Sequence, residues 1–275
     1  MRLVDSHAHM NADRFAGDGE LVIGAARLGG VERMLVPGWN LASSERALEL
    51  VGRFPWLHVA VGVHPHDAAK VDDAEWAVLA AMATDDRVVA VGETGLDYDR
   101  QFSPIPDQLS NLRRNLRLAI ETGKPAILHC RSSGGRRDAQ DALVDELAAA
   151  GAGGATWAAT FAGRPGAIIH SYSGPVDYGR TVVGLDLAIS FSGLVFRPGE
   201  EASAEVAAFV PADRLLIETD SPFLSPPGAP RSRNEPEWVR VTAEWLRRQR
   251  NADAEALGAT LVEAYDRAFR SPAAG

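Results

Sequence analysis

Thiols, lysines and long apolar runs are scarce in this 275-residue chain. A single cysteine, Cys130, excludes an intramolecular disulfide and any zinc cluster built on thiolates, and it fits a reducing, cytoplasmic setting. No stretch reaches the roughly eighteen apolar residues of a membrane span, and Asp5 and His7 interrupt the apolar core an N-terminal signal peptide would need, so no membrane partner is expected. Only Lys70 and Lys124 are lysines, and 37 acidic against 28 basic residues leave a net charge of −9. Such a chain repels polyanions at long range, which argues against bulk electrostatic binding of nucleic acid and leaves room only for a local basic cleft. The rest of the composition, 46% hydrophobic and 24% charged, is that of an ordinary globular protein long enough to bury a real core.

Apolar bursts of strand length alternate with longer amphipathic stretches, the pattern of a βα repeat with parallel strands. Eight bursts occur, at Leu3–His7, Arg33–Val36, His58–Val63, Val88–Gly92, Ala126–His129, Ala167–His170, Leu187–Phe191 and Leu215–Glu218. Helical spacing recurs between them, as in Leu109, Leu112, Leu116 and Ala119, and two further helices are expected near 237–249 and 253–269. Eight βα units in this length predict an α/β fold, a closed (β/α)₈ TIM barrel forming a single domain over 1–275, with an open doubly wound sheet as the alternative. Two stretches break the rhythm. Gly151–Gly166 is rich in Gly and Ala, carries Trp157 and Phe161, and reads as an inserted surface loop or, alternatively, a substrate lid; 221–236 holds five prolines with Arg231 and Arg233 and reads as a stiff loop.

The placement of histidines and acids is the informative feature. Asp5, His7 and His9 share one face if the first strand runs through them. Glu93, His129, His170 and Asp220 each end or closely follow an apolar burst, in VVAVGE, AILH, AIIH and LLIETD. In a barrel those carboxyl ends converge on the face that carries active sites, and buried charges without partners are too costly to be packing accidents. Imidazoles and carboxylates without thiolate suit Zn²⁺, Mn²⁺, Fe²⁺ or Mg²⁺. Six such ligands, His7, His9, Glu93, His129, His170 and Asp220, exceed the needs of one catalytic ion, so two divalent metal ions with a bridging carboxylate are expected. Neither lysine follows a strand, which leaves Glu93 as the natural bridge.

The segments DSHAHM (5–10), GVHPH (62–66), GETGLDYDR (92–100), LHCRSS (128–133), HSYSG (170–174), ISFSG (189–193), ETDSPFLSP (218–226) and RNEP (233–236) together resemble the TatD family of metal-dependent hydrolases. The resemblance implies that His7 and His9 hold one metal with Asp220, that Glu93 bridges, and that His129 and His170 hold the second. It also implies phosphodiester cleavage, as in a 3′ to 5′ DNA exonuclease (a DNase) acting on nucleic-acid ends; the negative net charge adds the expectation of weak, salt-sensitive binding without base specificity, directed to single-stranded DNA or frayed ends. Paired cations would lower the pKa of a water between them and offset charge on the phosphoryl group, and Asp220 could orient that water and take its proton. Thr94 stands where an aliphatic residue is usual, and EAYDRAF near the C-terminus departs from an Asn-Ala pair.

His64 is expected either at a substrate phosphate or behind a ligand; Arg131 either at phosphate or in a salt bridge; Asp97 and Tyr98 in the pocket wall. His66 is expected outside the chemistry, His58 as a satisfied core or surface histidine, and Cys130 as barrel packing. No GxSxG elbow, phosphate loop or GxGxxG fingerprint is present. The alternative chemistry is amide or ester hydrolysis on the same metals, such as deacylation of aminoacyl-tRNA, which an acidic or apolar mouth would favour and a basic one would not. A non-catalytic barrel is disfavoured by the full set of ligand types, and a monomer is expected.

Overall fold

Each apolar burst is a strand. A computed structural model describes residues 1–269, so the last six residues of the expected domain lie outside the described residues. The strands β1 (Leu3–Asp5), β2 (Val31–Pro37), β3 (Leu57–Val61), β4 (Val88–Asp97), β5 (Ala126–Arg131), β6 (Ala167–Ile169), β7 (Ala188–Phe191) and β8 (Leu215–Ile217) pair in sequence order as one eight-stranded sheet, and every pair is parallel. Main-chain bonds close the ring: the Ser6 amide donates to Ile217 O at 3.0 Å, and Ala8 bridges to Ser221. The architecture is a (β/α)₈ TIM barrel; an open doubly wound sheet would reverse its strand order at a switch point.

The helices α1 (Gly19–Leu28), α2 (Leu41–Arg53), α3 (Asp73–Met82), α4 (Ile105–Thr122), α5 (Asp138–Ala149), α6 (Ala155–Thr160), α7 (Val176–Gly184), α8 (Ala202–Phe209), α9 (Val239–Gln249) and α10 (Ala254–Ala268) accompany the strands. Local chemistry sets their limits. Asn40 and Ser43 form a reciprocal capping box that starts α2, and α4 stops at Gly123, whose φ of 64° is open to glycine. One face of α4 is buried through Leu112, Leu116 and Ala119, as the apolar spacing requires.

Three local differences from the sequence reading matter for the site. β1 ends at Asp5, so His7 and His9 lie beyond it. β4 continues past Gly92 to Asp97, with all ten residues buried. The Gly151–Gly166 connection contains α6, where Trp157 and Phe161, four residues apart, pack ring to ring at 4.8 Å and are buried. This connection leads from a helix into β6, so it lies at the amino ends of the strands. Its Arg164 donates to Gly123 O at the end of α4, and its Gly163 carbonyl accepts from Arg214 just before β8. A lid over the opposite, carboxyl face is therefore not available to it, and the glycines that flank α6 on both sides explain why a loop reading missed the helix.

Candidate metal centre

The carboxyl ends of the strands enclose a ring of lone-pair donors. Because β1 stops at Asp5, strand alternation is not what unites His7 and His9; the chain instead crosses to β8, where His7 O accepts from the Asp220 amide at 2.9 Å and the His9 amide donates to Ser221 O at 2.7 Å. Their Nε2 atoms end 3.1 Å apart. Asp220 itself adopts a left-handed backbone, φ 55°, which an aspartate tolerates better than most residues and which turns its carboxylate toward the imidazoles.

Glu93 sits at the centre. Its Oε2 lies 3.3 Å from His7 Nε2 and 3.4 Å from His9 Nε2, while its Oε1 lies 3.3 Å from His64 Nε2, 3.2 Å from His129 Nδ1 and 2.9 Å from His170 Nε2. Each carboxylate oxygen thus faces its own group of imidazoles. Asp220 Oδ1 completes the first group, 3.4 Å from His9 Nε2 and 3.8 Å from His7 Nε2. The His7 and His170 rings stack at 4.0 Å. All six expected ligands are therefore brought together, and His64 stands in the donor ring itself.

A layer of carboxylates orients the ring. Asp97 Oδ2 lies 3.2 Å from His129 Nε2 and 2.7 Å from His66 Nε2, which leaves His129 Nδ1 to face Glu93. Glu218 Oε1 lies 3.1 Å from His170 Nδ1 and leaves its Nε2 to face the centre. Asp5 accepts from Thr219 Oγ1 at 2.6 Å, from the Thr219 amide at 3.0 Å and from the His7 amide at 3.2 Å, fixing β1 to β8 beneath the site. Glu218 was not singled out from sequence, although its spacing of two from Asp220 in ETD was the available signal.

Burial and mutual charge set the protonation states. Burial pushes the Glu93 carboxyl up, but His64, His170, His7 and the His129 hydrogen bond outweigh it and hold the group well below the usual carboxylate range. Burial brings His64 down to about 4, and burial with the His170 charge lowers His7. His170 goes the other way: burial lowers it, yet Glu93 and Glu218 raise it well above an ordinary histidine. Asp5, with its burial dominant, is pushed up to about 8.

A cavity of about 660 Å³ opens over the ring, walled by Trp39, Lys70, Arg100, Phe102, Arg131 and Phe223. A second space of about 350 Å³ shares His129, Arg131, His170 and Asp220 with it and extends toward Ser173 and Glu200. The Arg131 guanidinium is on this wall, 3.9 Å from Asp97 Oδ2. Tyr98, expected in the pocket wall, is instead buried in the core and absent from both linings. Arg233 is held by Asp18 and Glu235 and stacks over Phe15, so it offers no free charge at the mouth, whereas Arg231 is exposed. His58 is hydrogen-bond distance, 3.1 Å, from Tyr265 OH; Cys130 is buried, which pushes its thiol up to about 12; and Thr94 is buried beside Asn111.

The donor set fits a metal. Ligands about 2.0–2.2 Å from a shared cation sit about 3–3.5 Å from one another, which is the spacing between Glu93 Oε2 and the His7 and His9 nitrogens, and again between Glu93 Oε1 and the His64 and His129 nitrogens. Three trios drawn from His7, His9, His64, Glu93, His129, His170 and Asp220 can each close on one ion.

A parallel barrel with a histidine–carboxylate ring at its carboxyl end defines a metal-dependent hydrolase. The sequence matches the family described as TatD related DNase over residues 4–270. It is 33% identical over 268 residues to the metal-dependent hydrolase YabD of Bacillus subtilis, covering 98% of this chain and 99% of that one. It is 35% identical over 265 residues to the 3′-5′ ssDNA/RNA exonuclease TatD of Cronobacter sakazakii, covering 94% of each. Among solved structures, the TatD homologue YJJV of Escherichia coli superposes with a TM-score of 0.84 at 27% identity over 98% of this chain and 99% of that one. The chain belongs to the TatD-related DNase family. Among the described residues no helix is long and apolar enough to cross a membrane.

Proposed function

We propose that this protein is a two-metal 3′ to 5′ exonuclease that removes nucleotides from the ends of single-stranded DNA, working as a cytoplasmic monomer with 1–275 as one domain. The observation that carries this reading is Glu93, whose two oxygens face two separate groups of imidazoles at the floor of a cavity walled by Arg100 and Arg131. The relatives named as 3′-5′ ssDNA/RNA exonucleases at about a third identity support the same substrate class.

His7, His9 and Asp220 would hold one ion, His129 and His170 the other with His64 beside them, and Glu93 would join the two. An imidazole-rich set of this kind suits Mn²⁺, Zn²⁺ or Fe²⁺, with Mg²⁺ still open. When bound, divalent cations supply Lewis acidity that lowers the pKa of water and neutralises phosphoryl charge. The chain's own groups do the rest. Asp220 is the most exposed carboxylate of the ring, and although burial raises its pKa, the His9 hydrogen bond and the neighbouring imidazoles leave it below the ordinary value. It is thus ionised, faces the cavity, and can orient an attacking water and accept its proton. Arg131 and Arg100, the two guanidinium groups of the cavity lining, would seat the phosphate of a phosphodiester.

The test is nucleotide release from a 3′-labelled single-stranded oligonucleotide by metal-stripped protein refilled with Mg²⁺, Mn²⁺ or Zn²⁺. Release with at least one ion, lowered about a hundredfold or more in Asp220→Asn, is expected. No release with any ion, despite bound metal, would move the assignment to carbonyl substrates.

A further inference from the structure

Two phenylalanines stand out against the rest of the aromatic residues. Among the described residues, every tryptophan and tyrosine and every other phenylalanine is buried or partly buried, while Phe102 is 65% exposed and Phe223 is 51% exposed. Both line the cavity of about 660 Å³ over the donor ring. Phe102 follows β4 and Phe223 follows β8, and in a ring of eight sequential strands those two are diametrically opposed. The two rings reach the cavity from the loops of different strands, Phe102 beside the His66 ring and Phe223 beside the His9 ring.

Both are held in place rather than adrift. Phe102 packs edge to face on the His66 ring at 4.7 Å, and the adjoining Ser103 ties its loop down by donating to His66 O and accepting from the Ala69 amide. Phe223 lies edge to face with His9 at 5.9 Å, and its amide donates to Asp220 O at 2.8 Å. Each ring is thus anchored to a histidine of the site or its border, with its remaining surface open to the cavity. Arg100 and Arg131 share that cavity. Exposed aromatic rings in a cavity that also holds guanidinium groups suit one kind of ligand: a chain of flat bases joined by phosphates, with the base faces uncovered.

We propose that Phe102 and Phe223 form a base-stacking pair that receives the unpaired terminal nucleotides of the substrate and delivers the scissile phosphate to the donor ring. This deepens the exonuclease reading and rests on it. A base in duplex has both faces covered, so the pair selects single strands and frayed ends. Every base has a π-face, so it does so without reading sequence. It also reconciles a polyanionic substrate with a protein of net charge −9, because stacking supplies the binding that bulk charge opposes.

The test compares a 5′-fluorescein single-stranded oligonucleotide with one of equal length whose last three residues are abasic. Binding to the full chain is read by fluorescence anisotropy with Ca²⁺ in place of Mn²⁺ to slow cutting, and nucleotide release is read separately with Mn²⁺. Wild type should bind the base-bearing strand about tenfold or more tightly. Phe102→Ala and Phe223→Ala should each narrow that ratio toward one and raise KM more than they change kcat. Phe→Trp at either position should keep the ratio, and Phe→Leu, which retains apolar area without a π-face, should lose it. Equal binding of both strands by wild type, or full preference in the leucine variants, would overturn the pair while leaving nuclease activity intact. Base preference in binding without release under any ion would uphold the stacking of unpaired nucleotides and overturn the exonuclease reading together with the delivery of a scissile phosphate.

Discussion

Asp97 and Glu218 each occupy one nitrogen of a histidine and thereby choose which nitrogen the other side of the ring presents. Such orienting carboxylates fix the tautomer and raise the basicity of a ligand, and their loss typically costs about 10- to 100-fold in metal affinity or activity. Glu218→Gln should therefore lower activity about tenfold or more at limiting Mn²⁺ and recover in part when Mn²⁺ is raised, as kcat/KM measured against metal concentration would show. A decrease insensitive to metal would mean that Glu218 acts elsewhere. The sequence made the donor ring legible because its members sit at or just beyond the end of an apolar run, a position that packing alone does not explain. It left Glu218 and the true place of His64 unread, since spacing marks which residues share a face but not which nitrogen or oxygen meets which. Tyr98 shows the converse: it adjoins the Asp97 it was grouped with, yet turns into the core.

Strand β4 decides whether the site assembles. It carries Glu93 and Asp97, and it crosses its neighbours so closely that glycine is required. A Cβ on Gly62 would lie 2.5 Å from Gly92 Cα, and one on Gly95, whose φ is 132°, would lie 2.0 Å from the carbonyl oxygen of His129. Gly95→Ala therefore forces β4 and β5 apart at the residue that presents an imidazole to Glu93. A destabilisation of about 2–4 kcal/mol is expected from overpacking and backbone strain together, read as a lower urea midpoint, with activity reduced further than stability alone explains. A variant with the wild-type midpoint would contradict the close approach. At this scale most of the fold was legible, because buried parallel strands are continuous apolar runs and amphipathic helices keep their spacing. What escaped was the early end of β1, drawn away to bond a segment distant in sequence after β8, and α6, a helix of six residues hidden between flanking glycines.

For the whole molecule, the donor ring links folding, protons and metal. Burial first, then the His170 charge, lowers His7, and burial brings His64 to about 4, so both are neutral at pH 7. Their stabilising contribution is present above the unfolded histidine value of about 6.5 and is lost as pH falls through the folded values. For His170, burial is overcome by Glu93 and Glu218, and the folded value is raised; its contribution is present below about 6.5 and is lost as pH rises through the folded value. The metal-free chain thus loses stability from these groups in both directions. A cation at the ring requires a neutral His170, so binding must release a proton and must strengthen with pH. With Mn²⁺ at about a hundred times its Kd, the gain is about 3 kcal/mol, or roughly 5–10 °C in Tm for a chain of this size. Melting curves with and without Mn²⁺ should therefore diverge by that amount at pH 8 and converge toward pH 5, and calorimetry in buffers of different ionisation enthalpy should register proton release near neutral pH that shrinks in Glu218→Gln. A metal-induced Tm shift that is the same at every pH would show that no histidine proton is displaced, and His170 would then lose its place among the ligands.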